Sequence, residues 1–590
     1  MFKPFAPHMV DGYKLEHGSM YAEGTDFLYS NLTPRSNHHF KGSSLYDGKM
    51  VVFGALGAIQ EIVALWDETF FSVPKTKAIA RFKRRVEGYL GQGKGGVDRM
   101  AALHDLGYLP LEIKSLDEGL RIKMKVPMLT IKNTHPDFFW LVNYLETVLS
   151  AMIWKGCTNA TIAYEYKRIA TDYAVRTGSP VEGVMYQIHD FSMRGMPGLE
   201  SACRSSAAHL TCGVGTDTVG AIDYIEDFYG TGVDLDKYLI GCSVPATEHA
   251  VSSSNILTRA ARMERQGLVG DTRLIAESEF LYDYITKIVP TGIASYVDDT
   301  YDHWGVLTTI LTMPKIRKAV LERDGKLVMR PDSGDPVEVI CGVEVTKVPH
   351  HSSEFGDNWK LDPSDECVDS INDVGYAFAQ DVDGGDEVSF LVESSDGVMF
   401  RITGDCYNDR YANHKSLDGF SAHVVEELSP EEKGSIQLLW ENFGGTINAK
   451  GFKELDSHIG LIYGDSITID RAERIFKRLA DKGFASGNVV FGVGSYTYQM
   501  NTRDTFGTAM KATATAIKGD FFEIYKDPAT GDKLKKSAKG LLHVGYINGE
   551  LELTDQVSPA IEAAGMLKTR FKDGVLQNLE GIDVIRARLS

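Results

Sequence analysis

Lys326-Leu327-Val328-Met329-Arg330-Pro331-Asp332-Ser333-Gly334-Asp335-Pro336 is a short apolar run that stops in turn-forming residues. A run of this length suits a buried strand, and the Pro, Gly, Ser and Asp that follow end it. Arg330 and Asp332, two residues apart, then project to the same side of the strand's end. An arginine beside a carboxylate at such a place suits an anionic, sugar-like substrate held at the mouth of a barrel.

The same pattern recurs on both sides. VMYQIHDF (184–191), YLIGCSV (238–244), GIASYVDD (292–299), GLIYGDS (460–466) and VVFGVGS (489–495) are apolar runs with polar ends. Helical spacing fills most of the intervals, at 199–210, 216–228, 249–264, 274–287 and 467–482. Alternating strand and helix imply a parallel sheet with right-handed crossovers, in either a doubly wound sheet or a barrel. Polar strand ends favour the barrel, where the site is assembled from the loops after several strands.

The rest of the chain flanks that rhythm. Residues 1–155 read as an α+β unit, with a strand near Phe27-Leu28-Tyr29 and a helical stripe of Leu56, Ile59, Ile62, Val63 and Trp66. Loose alternation over 112–133 gives strands, and Phe138 to Trp154 gives a helix. The barrel occupies 156–336 and 431–504. Between them, 337–430 alternates with acidic, Gly-rich turns and reads as a β-rich insertion. Its carboxylates Asp381, Asp383, Asp386 and Glu387 suit a solvated face. Residues 505–590 return to the flanking unit. The expected fold is thus α/β, an irregular TIM-like barrel with a flanking α+β domain and a β-rich insertion.

A formal charge of −19 on 590 residues excludes non-specific binding to nucleic acid or anionic membrane, so an anionic substrate needs a local cluster of cations. Seven scattered cysteines form no CxxC or zinc spacing and suit a reducing compartment. MFKPFAPHMVDGYK has no apolar signal stretch, and Asn143, Glu146 and Ser150 interrupt the most apolar helix, which predicts a cytoplasmic protein.

Several residues carry candidate chemistry. His249 with Glu248, after a strand end, suits an acid, base or nucleophile, or else a surface or capping histidine. Asp217 opens a helix and suits a first-turn acid as well as a ligand contact. The Phe491-Gly492-Val493-Gly494-Ser495 turn lets backbone N–H groups approach a phosphate, and Gly464-Asp465 offers a similar turn with a carboxylate for ribose hydroxyls. Arg503, Lys511, Lys535 and Lys536 supply scarce positive charge downstream.

In order, HDFSMRG, GTDTVGA, SVPATEH, DDTYD, RPDSGDP, YGDS, FGVGS and NTRD resemble the nicotinamide phosphoribosyltransferases, type II phosphoribosyltransferases. The resemblance covers the barrel and both flanks and fails across 337–430. It implies transfer of a 5-phosphoribosyl group from phosphoribosyl pyrophosphate to nicotinamide, for NAD salvage. It further implies Mg²⁺, ATP as an activating co-substrate that phosphorylates His249 beside Glu248, and a homodimer with shared sites. Phe191 and the partner subunit's Tyr13 would sandwich the base; Asp217 would accept from its carboxamide, with Arg194, Ser243, Ser295 and Arg330 nearby. Asp299 or Asp332 would hold ribose or Mg²⁺. Gly464, Asp465, Gly494 and Ser495 would frame the 5-phosphate, with Arg503, Lys511, Lys535 and, more loosely aligned, Arg35. Ser495-Tyr496, Ala509 and Gly460 depart from the family pattern. Rival expectations are a nicotinate phosphoribosyltransferase, a barrel glycosidase using Asp299 and Asp332, and a non-catalytic nucleotide-binding protein.

Overall fold

A computed structural model describes residues 3–349, 351–355, 359–360, 387–409, 414–464, 466–526 and 537–590. Its centre is a six-stranded sheet of β1 (Ile188–Asp190), β2 (Gly215–Thr216), β3 (Thr291–Tyr296), β4 (Asp324–Met329), β5 (Ile459–Tyr463) and β6 (Val489–Val493). The order is β2-β1-β6-β5-β4-β3, and every pairing is parallel. On β4 the two faces differ as period-2 geometry requires. Leu327 and Met329 are fully buried against the surrounding helices, whereas Lys326, Val328 and Arg330 are partly exposed on the opposite face. On that face β4 adjoins β5, its neighbour in the sheet: a Cβ on Gly460 would lie 3.3 Å from Lys326 Cδ and 3.7 Å from Val328 Cγ2. The sheet is curled, since one segment, residues 242–246, bridges both of its edge strands.

The segment expected as a strand at 238–244 forms no named strand, but it touches both edges of the sheet. Cys242 bridges Gly215 and Ala246 bridges Ser295, each in parallel sense. The hydrogen bonds are Cys242 N to Val214 O at 2.7 Å and Ser295 N to Pro245 O at 2.9 Å. Pro245 lacks an N–H and interrupts what would otherwise be a continuous ladder.

A second sheet of seven strands combines both ends of the chain. Thr25–Thr33 pairs antiparallel with Ala509–Ile517 and with Leu129–Asn133, and Lys568–Lys572 pairs with Leu111–Ser115. The helix expected over Phe138 to Trp154 is divided. A 3₁₀ turn at Pro136–Phe138 and a short helix at Leu141–Tyr144 precede α1 (Glu146–Thr177), which runs unbroken across residue 155. The polar residues that interrupt the apolar run have partners: Ser30 Oγ donates to Asn143 Oδ1 at 2.8 Å, and Lys14 pairs with Glu146 at 2.6 Å. No described helix is long and apolar enough to cross a membrane.

The 337–430 expectation needs one correction. Val337-Glu338-Val339-Ile340-Cys341 is not a strand but part of α3 (Pro336–Cys341). Pro336 at the first helical position and Asp335 Oδ1, which accepts from Val337 N and Glu338 N, nucleate a helix that overrides the β-branched run. Val337, Ile340 and Cys341 bury in the same core as β4. Beyond it a five-stranded sheet of Val345–Lys347, Trp359–Lys360, Glu387–Glu393, Met399–Asp409 and His414–Val424 rises, and the chain returns through α4 (Ser435–Phe443). Departure and return cross at two glycines. A Cβ on Gly434 would lie 2.1 Å from Gly342 N, and both residues have positive φ, 80° and 71°. Asp381, Asp383 and Asp386 lie outside the described residues, while Glu387 begins a strand.

Candidate active site

At the C-terminal ends of the parallel strands lies a cavity of about 450 Å³ lined by Phe191, Met193, Arg194, Asp217, Arg330, Asp332 and Gly464. Each comes from the turn after a strand or just beyond it, so the curled sheet gathers residues far apart in sequence. Arg330 continues β4, its N–H bonded to Tyr296 O at 2.8 Å. Its Nη2 donates to Thr247 O at 3.1 Å, while its buried Nε has no partner among the described residues.

Beside Arg330, one atom each of His249, Asp299 and Asp332 lie within 4.8 Å of one another. His249 is the first residue of α2 (His249–Arg265), and its side chain is 48% exposed. Its Nε2 donates to Asp332 Oδ1 at 3.2 Å, and Nδ1 lies 3.1 Å from Thr300 Oγ1. Asp299 Oδ2 accepts from Asp332 N and Ser333 N at 2.9 Å each, and from Ser333 Oγ. Burial works against the Asp299 charge, but the Ser333 hydroxyl, the Asp332 amide and His249 together hold its carboxyl below the usual range. Asp299 Oδ1 is buried without a hydrogen-bond partner among the described residues. An unused carboxylate oxygen next to a second carboxylate fits a hard, oxygen-liganded cation such as Mg²⁺.

The opposite wall is built around a residue the sequence reading passed over. Asp190, fully buried at the end of β1, accepts from Ser192 N at 3.1 Å and from Thr218 Oγ1 at 3.1 Å. Its main-chain oxygen accepts from Asp217 N at 3.0 Å. It thereby shapes the turn that presents Asp217 at the rim, where Ser243 Oγ donates to Asp217 Oδ1 at 2.6 Å. Phe191 lies against β6, where only glycine fits: a Cβ on Gly492 would meet the Phe191 ring at 2.5 Å and Tyr463 O at 2.8 Å. Ser295 is buried on β3, with its hydroxyl unpartnered among the described residues. Gly464 closes the turn after β5, its N–H bonded to Pro331 O at 3.0 Å.

A separate group of cations gathers where Thr25–Thr33 meets Ala509–Ile517. Burial lowers the Lys511 pKa, Glu146 opposes the effect, and Arg35, Lys526 and Arg503 add to the lowering, so four positive groups share one neighbourhood. Arg35 Nε donates to Gly507 O at 2.6 Å, and Arg503 is exposed beside Asp504. Gly494 and Ser495 open a short helix near the Met193–Gly195 turn; a Cβ on Gly195 would collide with Ser495 Oγ.

Of the candidates, Phe191, Arg194, Asp217, Arg330, Asp332 and Gly464 line the cavity itself, and the side chains of Tyr13 and Glu248 have no contact with these or with the neighbouring site residues described above. Tyr13 is 63% exposed, stacked edgewise on His17, and is not among the lining residues. Glu248 precedes α2, and its side chain makes no capping bond. Asp465, Lys535 and Lys536 lie outside the described residues. Besides Asp190, the sequence reading missed Thr247, Thr300, Ser333 and Lys526. The HDF, DDT and PDS strings that hold three of the anchors or their neighbours carried the available signal; nothing distinguished Thr247 or Lys526.

The family model described as the nicotinate phosphoribosyltransferase family matches residues 186–400 and 418–574. A curated protein from Acinetobacter baylyi, named nicotinamide phosphoribosyltransferase, is 41% identical over 588 residues, covering 98% of this chain and 96% of that protein. One of the same name from Mycoplasma pneumoniae is 28% identical over 544 residues, covering 90% of this chain and 93% of that protein. Among solved structures, the nicotinate-nucleotide pyrophosphorylase from Pyrococcus furiosus aligns with a TM-score of 0.47 at 12% identity, over 99% of this chain and 94% of that one.

Proposed function

This chain belongs to the nicotinate phosphoribosyltransferase family, and from that premise we infer that it transfers the 5-phosphoribosyl group of phosphoribosyl pyrophosphate to nicotinamide, a step of NAD salvage. The observation that carries the choice of base is Asp217, a carboxylate fixed by Ser243 at the rim of the cavity. It suits the carboxamide N–H of nicotinamide and repels the carboxylate of nicotinate. The name of the A. baylyi relative agrees with that choice.

The chemistry asks little of a base. The pyridine nitrogen attacks C1 of the ribose with its own lone pair, the C1–oxygen bond breaks, and its electron pair leaves on pyrophosphate. The product is a pyridinium mononucleotide, and no proton moves at the nucleophile. The barrier lies in the cationic, oxocarbenium-like ribose and the departing polyanion. Phe191 offers a ring face to the base and favours the pyridinium that forms. Arg194 and Arg330 supply positive charge on the base and ribose side, and Ser295 adds an unpaired hydroxyl. Gly464, Asp465, Gly494 and Ser495 would frame the 5-phosphate, and Arg35, Arg503, Lys511 and Lys535 would add the cations for phosphate. Asp299 and Asp332 would hold ribose hydroxyls or Mg²⁺, which when bound would neutralise charge on the leaving pyrophosphate.

His249 is exposed on one side, with both ring nitrogens held by Thr300 and Asp332, which supports a role as acceptor of the γ-phosphoryl group of ATP. Attack by a ring nitrogen releases ADP, and hydrolysis of the phosphohistidine returns the free ring. Glu248 would act beside it. The exposed Tyr13 suits a homodimer in which each copy completes its partner's base site. The bridged 242–246 segment suits an irregular barrel, with that segment as a seventh stave.

Purified protein, Mg²⁺ and phosphoribosyl pyrophosphate with either base, followed by chromatography of the mononucleotide, tests this reading. Nicotinamide mononucleotide is the expected product. Nicotinic acid mononucleotide as the main product would reassign the base, and turnover of neither would leave a nucleotide-binding protein.

A further inference from the structure

Behind the Asp299 turn lies a buried polar chain that the proposed reaction does not use. Asp298 is 0% exposed, and His303 is 8% exposed with Nδ1 3.1 Å from Asp298 Oδ2. On its other side, His303 Nε2 lies 2.8 Å from Ser435 Oγ, and Ser435 Oγ donates to Val339 O at 2.7 Å. A hydroxyl has one proton. Since Ser435 gives its proton to Val339, His303 Nε2 must be the donor to Ser435. Nδ1 is left facing Asp298, a neighbour that favours the charged form of the ring. Burial opposes that charge, but Asp298, with Asp299 and Asp302 behind it, outweighs the opposition and raises the His303 pKa.

The surroundings explain why a cation is needed there. Asp298, Asp299 and the 2%-exposed Glu277 are packed into one neighbourhood, and burial raises the carboxyls of both Asp298 and Glu277. Among the described residues, His303 is the basic group that faces Asp298. Val339 is in α3 and Ser435 opens α4, so the chain runs from the two roots of the insertion to the residue beside Asp299.

We propose that His303 is a positioning residue: clamped by Ser435 at the insertion's roots, it holds Asp298 and so aims the Asp299 carboxylate at the ribose and pyrophosphate of the substrate. This rests on the phosphoribosyl-transfer reading above. Asp299 Oδ2 is already committed to three donors from residues 332–333. A shift of the backbone at Asp298 therefore turns Asp299 Oδ1 and the Asp332 turn together.

The test is steady-state kinetics of the full chain with His303→Gln, Ser435→Ala and the double variant His303→Gln/Asp298→Asn, each with a thermal melt. His303→Gln should lower kcat and raise KM for phosphoribosyl pyrophosphate, reducing kcat/KM for that substrate by about 10–100-fold, while KM for nicotinamide stays unchanged. The double variant removes the carboxylate that His303→Gln leaves buried and uncompensated, so its melt should recover while kcat/KM stays low. Ser435→Ala keeps the ion pair and should give a smaller loss of the same kind, which covers the case in which His303→Gln does not fold. A lower melting temperature with all kinetic constants kept, in any folded variant, would make the chain merely structural and overturn the proposal. A wild-type protein that makes no mononucleotide overturns the reading beneath it, a separate result from active variants.

Discussion

Gly492→Ala probes whether the Phe191 ring is a platform for the base. A Cβ at position 492 would stand 2.5 Å from Phe191 Cδ2 and 2.6 Å from Cε2. Carbon atoms in contact prefer roughly 3.5–4.0 Å, so the ring must retreat by about 1 Å. The new methyl cannot retreat instead, because Tyr463 O lies 2.8 Å away on its other side, fixed in the β5–β6 pairing of Tyr463 with Phe491. Overpacking of this kind costs on the order of 1–3 kcal/mol of stability. Misplacing a reacting group by ~1 Å costs on the order of 100-fold in rate. The variant should remain folded with a lowered melting temperature and lose up to about 100-fold in kcat/KM for nicotinamide, with KM for phosphoribosyl pyrophosphate kept. Initial rates with each substrate varied in turn separate the two effects. A lowered melting temperature with nicotinamide kinetics intact would refute the stacking role of Phe191.

Replacing the rim carboxylate should relax base choice: Asp217→Ser is expected to shift the nicotinamide-to-nicotinate ratio of kcat/KM by roughly 10–100-fold toward nicotinate, and an unaltered ratio removes Asp217 from selection. His249→Ala should abolish ATP stimulation while synthesis without ATP remains measurable; stimulation that persists would assign the phosphoryl acceptor elsewhere. Far from the site, burial pushes the Glu118 carboxyl up from 4.5 to about 7, with one oxygen bonded to Leu56 N and the other unpartnered among the described residues. The folded pKa is raised, so the contribution to stability is full below pH 4.5 and is lost as pH rises toward 7, by about 3 kcal/mol at ~1.4 kcal/mol per unit. Glu118→Gln should flatten that fall in urea-unfolding curves between pH 5 and 8; parallel curves for the two proteins would show that Glu118 is not the cause.

What could be read in advance follows from how local its cause is. The strands ending at Arg330, Asp190 and Gly464 were legible because a short apolar run and a Pro/Gly/Asp turn are both contiguous in sequence. The segment at Cys242 was legible as apolar but not as a bridge, since Pro245 breaks the ladder and only the curl of the sheet supplies its partners. Alternation misled at Val337–Cys341, where Asp335 and Pro336 start a helix and the buried face decides. The candidate residues around the cavity could be named from motif order, but Asp190 and Thr247 act through turns that exist only once strands are adjacent. Arg35 and Lys511, 476 positions apart, become neighbours through the pairing of Asn31 with Lys511.

The crossing at Gly342 and Gly434 brings the departing and returning segments of the insertion into backbone contact, reinforced by Val343 N to Glu432 O at 3.1 Å and by Arg478 on Glu344 at 3.1 Å. Because the two backbones already touch there, loop closure adds little entropic cost whatever length of chain hangs beyond it. A module attached in this way can be gained, lost or exchanged in evolution while α3, α4 and the strands beneath keep their packing. Surface change of that kind leaves the catalytic scaffold's own folding problem as it was.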